Sequence, residues 1–192
     1  GVYLVNLAKA LAGRGHHVTV VAGPPYPDEV PGAKNVRLPG HNFINKKANE
    51  LPPGDPLSVF EPLNFFEYLA ARCGQNPEML AFSLRCFNLL CRGGAGPVDI
   101  VHDNQGLGYG LLGLRALGMP VVATIHHPLQ VDRAEDIRQT GGLVAKMKRA
   151  VYYPIVMQRE VARRLDRVIA VSEFSADLVA RTYGLDRGRI AV

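Results

Sequence analysis

Three short apolar runs in the second half of the chain, residues 98–101, 121–125 and 168–171, each end at polar residues. Runs of this length that are rich in Val and Ile are typical of buried strands in a parallel sheet. In open α/β sheets, ligands bind outside the carboxyl ends of the strands. The polar residues that follow the runs are therefore the candidate binding residues: His102, Asp103, Asn104, His126, His127, Ser172 and Glu173.

Helical patterns alternate with these strands. Apolar residues recur at helical spacing in residues 2–14, which predicts an amphipathic helix. The same signals predict further helices at 57–71, 77–91, 109–117, 142–165 and 173–183, further strands at 18–22 and 36–38, and a long loop at 39–56. Pro154 is expected to kink or split the longest helix. The alternation predicts an α/β fold with a mainly parallel sheet.

Composition indicates one globular domain over residues 1–192. The chain is 47% hydrophobic and 20% charged, which supplies an ample core and shows no bias towards disorder. Its three cysteines do not have the CxxC spacing of metal or redox sites, so reduced thiols in a cytoplasmic protein are expected. No apolar run approaches the roughly 18 residues that a membrane span requires.

The chain carries a formal net charge of +5, and much of it falls in one predicted helical stretch. The residues concerned are Lys146, Lys148, Arg149, Arg159, Arg163, Arg164 and Arg167. A solvated helix face explains such a cluster, and peripheral contact with anionic lipid or phosphate is the alternative. Basic and aromatic residues do not interleave as they do in nucleic-acid-binding modules, so no nucleic-acid partner is expected.

Two adjacent histidines follow the second apolar run. Pro128 favours an extended conformation for His127, and neighbouring side chains on an extended chain point to opposite sides. One histidine can then face a cleft and hydrogen-bond a substrate hydroxyl or a phosphate, and the alternative is an ordinary surface pair. No carboxylate or cysteine lies nearby at ligand spacing, so no metal site is expected.

Ser172 and Glu173 begin a predicted helix directly after the third run. Ser172 is a suitable N-cap, and the N-terminus of a helix attracts anions such as phosphate. The pattern fits both an ordinary cap and a phosphate site. Glu173 would weaken anion binding while it stabilises the first turn.

Gly108, Gly110 and Gly113 match the GxGxxG spacing of dinucleotide-binding loops. The match lies several residues past the strand, and the next strand ends at His126, where such a site requires an acidic residue. These glycines are therefore expected to let the backbone approach a ligand or a neighbouring helix. The sequence contains no Walker motif and no GxSxG elbow.

Four segments, taken in order, resemble the N-terminal domain of family 4 glycosyltransferases, which are retaining enzymes with two facing Rossmann-like domains. The segments are the helix and strand at 1–22, the Asp-Ile-Val-His strand and its polar end at 98–104, Pro-Val-Val-Ala-Thr-Ile-His-His-Pro at 120–128, and the Arg-x-Asp-x-x-Ile-x-x-Ser pattern at 164–172. The resemblance implies a Rossmann-like parallel sheet flanked by helices.

The resemblance also implies that this chain is the acceptor-side half of a two-domain GT-B protein. In that family the C-terminal domain binds the nucleotide sugar and carries a Glu-x7-Glu motif, and no pair of glutamates here has that spacing. Gly1 would be the last residue of the family's glycine-rich turn and a substrate-binding residue. The central first strand would precede Gly1, so the chain is expected to be a fragment.

The reaction implied by the resemblance is transfer of a sugar from a nucleoside diphosphate to an acceptor hydroxyl with retention. His126 matches the family's Thr-x-His histidine and is the expected catalytic residue, and Ser172 matches the serine that ends the later strand. Enzymes of this kind need no metal or other cofactor, because basic groups and helix N-termini stabilise the leaving diphosphate. The implied partners are a nucleotide sugar and an acceptor sugar or lipid-linked acceptor. A nucleotide-sugar epimerase of the same architecture and a non-catalytic α/β ligand-binding module are the alternatives.

Overall fold

A computed structural model describes residues 2–41, 43 and 55–192. The helices are α1 (Val2–Gly13), α2 (Pro62–Arg72), α3 (Glu78–Cys91), α4 (Gly110–Ala116), α5 (Leu129–Gln139), α6 (Leu143–Tyr152), α7 (Ile155–Arg164) and α8 (Glu173–Tyr183). The strands are β1 (Thr19–Ala22), β2 (Lys34–Arg37), β3 (Val101–Asn104), β4 (Val121–Ile125), β5 (Arg167–Ala170) and β6 (Ile190–Ala191). Short 3-10 helices lie at Pro56–Phe60 and Arg187–Arg189. Most of the loop expected at 39–56 lies outside the described residues.

Parallel strand pairing confirms the α/β prediction. Strands β3, β4, β5 and β6 form one parallel sheet in that order, and β1 pairs with β2 in a second parallel sheet. Within the described ranges, no strand joins the two sheets. Asn104 pairs with Thr124, and Ile125 pairs with Ala170, so the carboxyl ends of β3, β4 and β5 lie along one edge.

The main hydrophobic core brings together β4, β5 and helices α4, α7 and α8. Val121, Ala123 and Ile125 of β4 are fully buried, and they share the core with Val161 of α7 and Tyr183 of α8. An apolar strand buried on both faces is typical of a parallel sheet covered by helices. This core fixes the position of β4 and therefore of the two histidines that follow it.

Glycines let α4 and the turn before it pack directly on α3. A Cβ atom at Gly108 would lie 2.2 Å from Oγ of Ser83, and one at Gly110 would lie 2.1 Å from the carbonyl oxygen of Ser83. A Cβ atom at Gly113 would lie 2.8 Å from the ring of Phe87. Of the two expected uses of these glycines, the structure shows the approach to a neighbouring helix. The three glycines thus serve the contact between α4 and α3.

The strand predicted at 98–101 begins three residues later, at Val101. Val101 pairs with Val121, so His102, Asp103 and Asn104 lie within the strand and not after its end. Ile100, which the apolar pattern placed in the strand, is 54% exposed. The predicted bounds of this strand were therefore wrong by three residues, because pairing with β4 outweighed local hydrophobicity.

One helical prediction is confirmed, one changed in detail, and one helix was missed. Pro154 does split the long predicted helix, into α6 and α7. The helix predicted at 57–71 is also divided, because Pro62 starts α2 after the 3-10 helix. Helix α5 was not predicted, since its sequence LQVDRAEDIRQ buries only Leu129 and lacks an apolar stripe.

The three cysteines all lie in the described residues. Cys73, Cys86 and Cys91 are all free. Burial raises the pKa of the half-buried Cys86 to about 12, and the nearby Asp103 adds to this shift, so Cys86 remains protonated.

Within the part of the chain that the structure describes, no helix is both long and apolar enough to cross a membrane.

Candidate functional site

The site is built around His126, directly after β4. Its imidazole Nε2 lies 2.9 Å from Oδ1 of Asn104, the last residue of β3. The parallel register of β3 and β4 brings these two polar side chains together at the carboxyl edge of the sheet. The structure therefore joins two of the residues that the sequence singled out. Gly1, a third candidate, lies outside the described residues.

Tyr3 of α1 forms another side of the site. Its ring meets the imidazole of His126 edge-on, with ring centroids 4.9 Å apart. Its hydroxyl lies 3.1 Å from Oγ1 of Thr124, which is fully buried in β4. The same Oγ1 lies 2.7 Å from Nε2 of His102 in β3. A continuous polar chain thus links α1, β4 and β3 beneath His126.

The sequence did not assign Tyr3 or Thr124 to the site. Thr124 carries a signal, because it is the one polar residue in an otherwise apolar strand. A buried hydroxyl in such a place needs hydrogen-bond partners. Tyr3 carries no comparable signal, since it is separated from Thr124 by 121 positions and its contact depends on the packing of α1.

His102 and His126 both favour the neutral form of the imidazole. Burial lowers the pKa of His102. Burial, and to a smaller extent the neighbouring His127, lowers the pKa of His126. The amide oxygen of Asn104 can only accept, so it selects the tautomer of His126 with hydrogen on Nε2. The other ring nitrogen, Nδ1, is then an acceptor suited to a substrate hydroxyl.

Gln105 holds the turn that carries the two histidines. Its Oε1 accepts hydrogen bonds from the backbone N–H of His126 at 2.7 Å and of His127 at 3.4 Å. Its Nε2 donates to the carbonyl of His127 at 3.1 Å. Gln105 has φ +63°, a left-handed conformation that is uncommon for residues other than glycine. The unusual backbone turns its side chain back across the end of β4.

A buried pair of polar residues supports Gln105 from below. Nε2 of Gln158 donates to the carbonyl oxygen of Gln105 at 3.1 Å, and the hydroxyl of Tyr183 donates to Oε1 of Gln158 at 3.0 Å. Gln158 and Tyr183 are both fully buried, in α7 and α8. Buried polar groups that are fully hydrogen-bonded fix one arrangement of the chain. These three residues were not among the sequence candidates.

Asp103 is directed away from His126. Side chains alternate along a strand, so Asp103 faces opposite to His102 and Asn104. Its Oδ2 accepts a hydrogen bond from the backbone N–H of Leu107 at 2.9 Å, which closes the turn after β3. Burial raises the pKa of Asp103 to about 6, although this hydrogen bond opposes the shift. Asp103 is therefore a residue of β3 whose side chain closes the following turn, and it does not join His102 and Asn104 on the His126 side of the sheet.

The side chain of His127 also lies apart from the hydrogen-bonded group of His126, Asn104 and Tyr3. Its Nε2 lies 2.8 Å from Oδ2 of Asp132 in α5, and both side chains are partly exposed. The two adjacent imidazoles therefore have different partners, as the extended backbone predicted. His127 contributes its backbone to the Gln105 turn and its side chain to the start of α5.

Ser172 and Glu173 lie after β5 at the same edge of the sheet. Oγ of Ser172 accepts a hydrogen bond from the backbone N–H of Ser175 at 3.1 Å, which is the ordinary N-cap arrangement. The carboxylate of Glu173 pairs with the guanidinium of Arg187. Nε of Arg187 also lies 3.2 Å from Oδ1 of Asp177. These contacts hold the N-terminus of α8 to the segment that precedes β6. They do not extend to His126.

The described residues contain no group of three His, Cys, Asp or Glu side chains arranged to hold a metal ion. The independence from metal that the sequence suggested stays a prediction. What the geometry supplies is a neutral imidazole with fixed tautomer, set among hydrogen-bonding side chains at the carboxyl edge of a parallel sheet. Such a group can orient a hydroxyl or a phosphate oxygen.

Known proteins resemble the chain over its whole length. The family model described as Glycosyltransferase Family 4 matches residues 1–192. An MMP alpha-(1->4)-mannosyltransferase from Mycolicibacterium hassiacum is 32% identical over all of this chain and 46% of its own length. A D-inositol 3-phosphate glycosyltransferase from Xylanimonas cellulosilytica is 25% identical over all of this chain and 40% of its own length. The chain therefore spans less than half the length of these curated relatives.

Proposed function

The chain belongs to glycosyltransferase family 4, and on that premise we propose that the protein transfers a sugar from a nucleoside diphosphate sugar to an acceptor hydroxyl with retention of configuration. Both curated relatives are named as glycosyltransferases, which favours this function over an epimerase or a non-catalytic binding module. The described residues form an α/β, Rossmann-like unit, which we assign to the acceptor side of a GT-B architecture.

The single observation that carries the proposal is the placement of His126. It follows β4 at the carboxyl edge of the sheet, and Asn104 and Tyr3 hold its imidazole from two sides. Because its pKa is lowered, the imidazole is neutral near pH 7 and retains one acceptor nitrogen. We assign His126 the role of orienting the transferred sugar or the acceptor hydroxyl.

The chemistry balances without a metal ion or other cofactor. The bond between the anomeric carbon and the diphosphate oxygen breaks, and the acceptor oxygen forms a bond to the same face of that carbon. The acceptor hydroxyl gives its proton to an oxygen of the departing diphosphate, and the diphosphate takes the electron pair of the broken bond. Basic groups and helix N-termini stabilise that charge. In this domain the N-terminus of α8 at Ser172 is the candidate contact on the donor side.

The relatives suggest a substrate class. One is named as a mannosyltransferase and the other as a D-inositol 3-phosphate glycosyltransferase, so both names contain a polyhydroxylated group. We propose a hexose or related sugar as the transferred group, and an acceptor sugar or lipid-linked acceptor as its partner. We place the reaction in the cytoplasm, which agrees with the three free thiols.

Full-length protein supplied with a panel of nucleotide sugars and hydroxylated acceptors tests the proposal. Product formation by the wild type, and a loss of about a hundredfold or more in His126→Ala, is the expected result. His17→Ala is the matched control, because His17 is exposed and remote in sequence. Turnover of a nucleotide sugar in the absence of any acceptor would indicate the epimerase instead. Ligand binding without turnover, unaffected by His126→Ala, would indicate the binding module.

A further inference from the structure

Helix α6 has an apolar strip that faces solvent. Leu143, Val144, Met147 and Val151 are between 55% and 76% exposed, and none of the ten residues of α6 is buried. With about 100° between successive residues of a helix, these four side chains share one side. An exposed strip of this kind on a short helix marks a surface that meets an apolar phase or a partner.

Two lysines border the strip. On the same helical projection Lys146 lies beyond one edge of the strip, and Lys148 lies beyond the other edge. Both side chains are exposed. An apolar strip with a cationic side chain on each border is the arrangement of helices that lie in the plane of a membrane interface. The methylene stems of lysine can extend along the apolar surface while the ammonium group reaches the headgroups.

The C-terminal end of α6 is fixed to the body of the domain. The carbonyl oxygen of Tyr152 accepts a hydrogen bond from the backbone N–H of Asn76 at 3.0 Å. Nη1 of Arg149 lies 3.9 Å from Oδ2 of Asp136 in α5, and the hydroxyl of Tyr153 donates a hydrogen bond to the same oxygen at 2.5 Å. The helix is thus held on its polar side, and its apolar strip points outward.

The basic residues that cluster in the sequence between Lys146 and Arg167 have different surroundings in the structure. Arg163 donates to the carbonyl oxygen of Tyr183, Arg167 donates to that of Gly188, and Arg164 pairs with Glu160. These arginines therefore serve contacts within the domain. Lys146 and Lys148 are the members of the cluster that border the apolar strip of α6.

We propose that the α6 surface, defined as Leu143, Val144, Met147 and Val151 with Lys146 and Lys148, binds an anionic lipid surface. The apolar strip enters the boundary between headgroups and acyl chains, and the two lysines contact anionic headgroups. Charge complementarity favours lipid over a second copy of the chain, because pairing two copies of α6 would bring its lysines together.

Flotation of the full-length protein with vesicles tests this inference. Phosphatidylcholine vesicles are compared with vesicles containing equal parts of phosphatidylcholine and phosphatidylglycerol. The expected result is flotation with the anionic vesicles that weakens as salt is raised. The double variant Leu143→Gln/Met147→Gln should lose binding at every salt concentration. Each single variant Lys146→Gln or Lys148→Gln should weaken partitioning by about fivefold.

Matched controls separate the α6 surface from general effects. Leu117→Gln replaces a leucine that is 60% exposed at the end of α4, and Lys9→Gln removes an exposed charge from α1. Both controls should float like the wild type. Absence of flotation by the wild type, or α6 variants that float as well as the controls, would overturn the inference.

Hydroxyl-radical oxidation of Met147 reports directly on what covers the strip. In the full-length protein without vesicles, Met147 should be oxidised rapidly, because its side chain is 61% exposed. Anionic vesicles should slow this oxidation. Slow oxidation before any vesicle is added would mean that another part of the protein or a second copy covers α6, and would refute the lipid assignment.

Discussion

The imidazole Nε2 of His126 lies 2.9 Å from the amide oxygen of Asn104, across the boundary between β4 and β3. This contact fixes both the tautomer and the direction of the ring, because the amide oxygen accepts and does not donate. A site made in this way depends on strand register. A shift of one residue would turn Asn104 to the other face of the sheet.

Replacing Asn104 with Asp should change the pH dependence of sugar transfer. A carboxylate beside the imidazole stabilises its charged form, so the pKa of His126 rises. If the neutral imidazole orients the reacting hydroxyl, the acid limb of the rate profile moves to higher pH. The rate of Asn104→Asp should therefore fall more strongly near neutral pH than at about pH 9.

The pH–rate profiles of the full-length wild type, Asn104→Asp and Asn88→Asp make this measurement. Asn88 is exposed on α3, so its replacement adds the same charge away from the site. Asn88→Asp should keep the wild-type profile. Parallel profiles for all three proteins would show that the protonation of His126 does not limit transfer.

Replacing Gln105 should separate the function of its side chain from the strain of its backbone. Gln105→Ala and Gln105→Gly both remove the hydrogen bonds to the His126–His127 turn, so both should lower transfer by about tenfold. Glycine accepts φ +63° without steric penalty, and alanine does not. Urea unfolding should therefore find Gln105→Gly more stable than Gln105→Ala by about 1 kcal/mol. Equal stabilities would show that the turn relaxes when the side chain is removed.

Replacing Gly110 with Ala should destabilise the domain. The new Cβ would lie 2.1 Å from a backbone oxygen of α3, so α4 and α3 must move apart. Overpacking against a helix backbone is expected to cost about 3 kcal/mol in the free energy of unfolding. Gly141→Ala is the control, because a Cβ there meets no atom within 4 Å and its φ is not in the left-handed region. Urea denaturation in which the two variants have equal midpoints would contradict this account.

The sequence predicted the parallel sheet and the position of His126, since both follow from local patterns. The apolar run of β4 fixes its burial, and the histidines directly after it must lie at the carboxyl edge. The exact register of β3 was not predictable in the same way. Its polar residues 102–104 enter the strand because they pair with β4, and no local signal specifies a partner.

Contacts between distant parts of the chain account for the rest of what the sequence missed. Tyr3 reaches His126 only when α1 packs against the end of β4. Gln158 and Tyr183 come from separate helices and support Gln105 through buried hydrogen bonds. Asp103 is different, because strand alternation alone would have placed it opposite to Asn104.

Replacing Asp103 with Asn should remove part of the pH dependence of stability. Burial raises the pKa of Asp103 to about 6 in the folded protein, above the value of 3.8 for a free side chain. Between these values the unfolded chain releases a proton that the folded protein keeps, so rising pH favours unfolding. The loss of stability develops from about pH 4 to about pH 6 and amounts to roughly 3 kcal/mol in the free energy of unfolding.

Because other carboxyl groups titrate in the same range, the informative quantity is the difference in free energy of unfolding between Asp103→Asn and the wild type. That difference should move in favour of the variant as pH rises through this window and then stay constant. A difference that does not change with pH would show that Asp103 ionises at its ordinary pKa and is exposed to water in the folded protein.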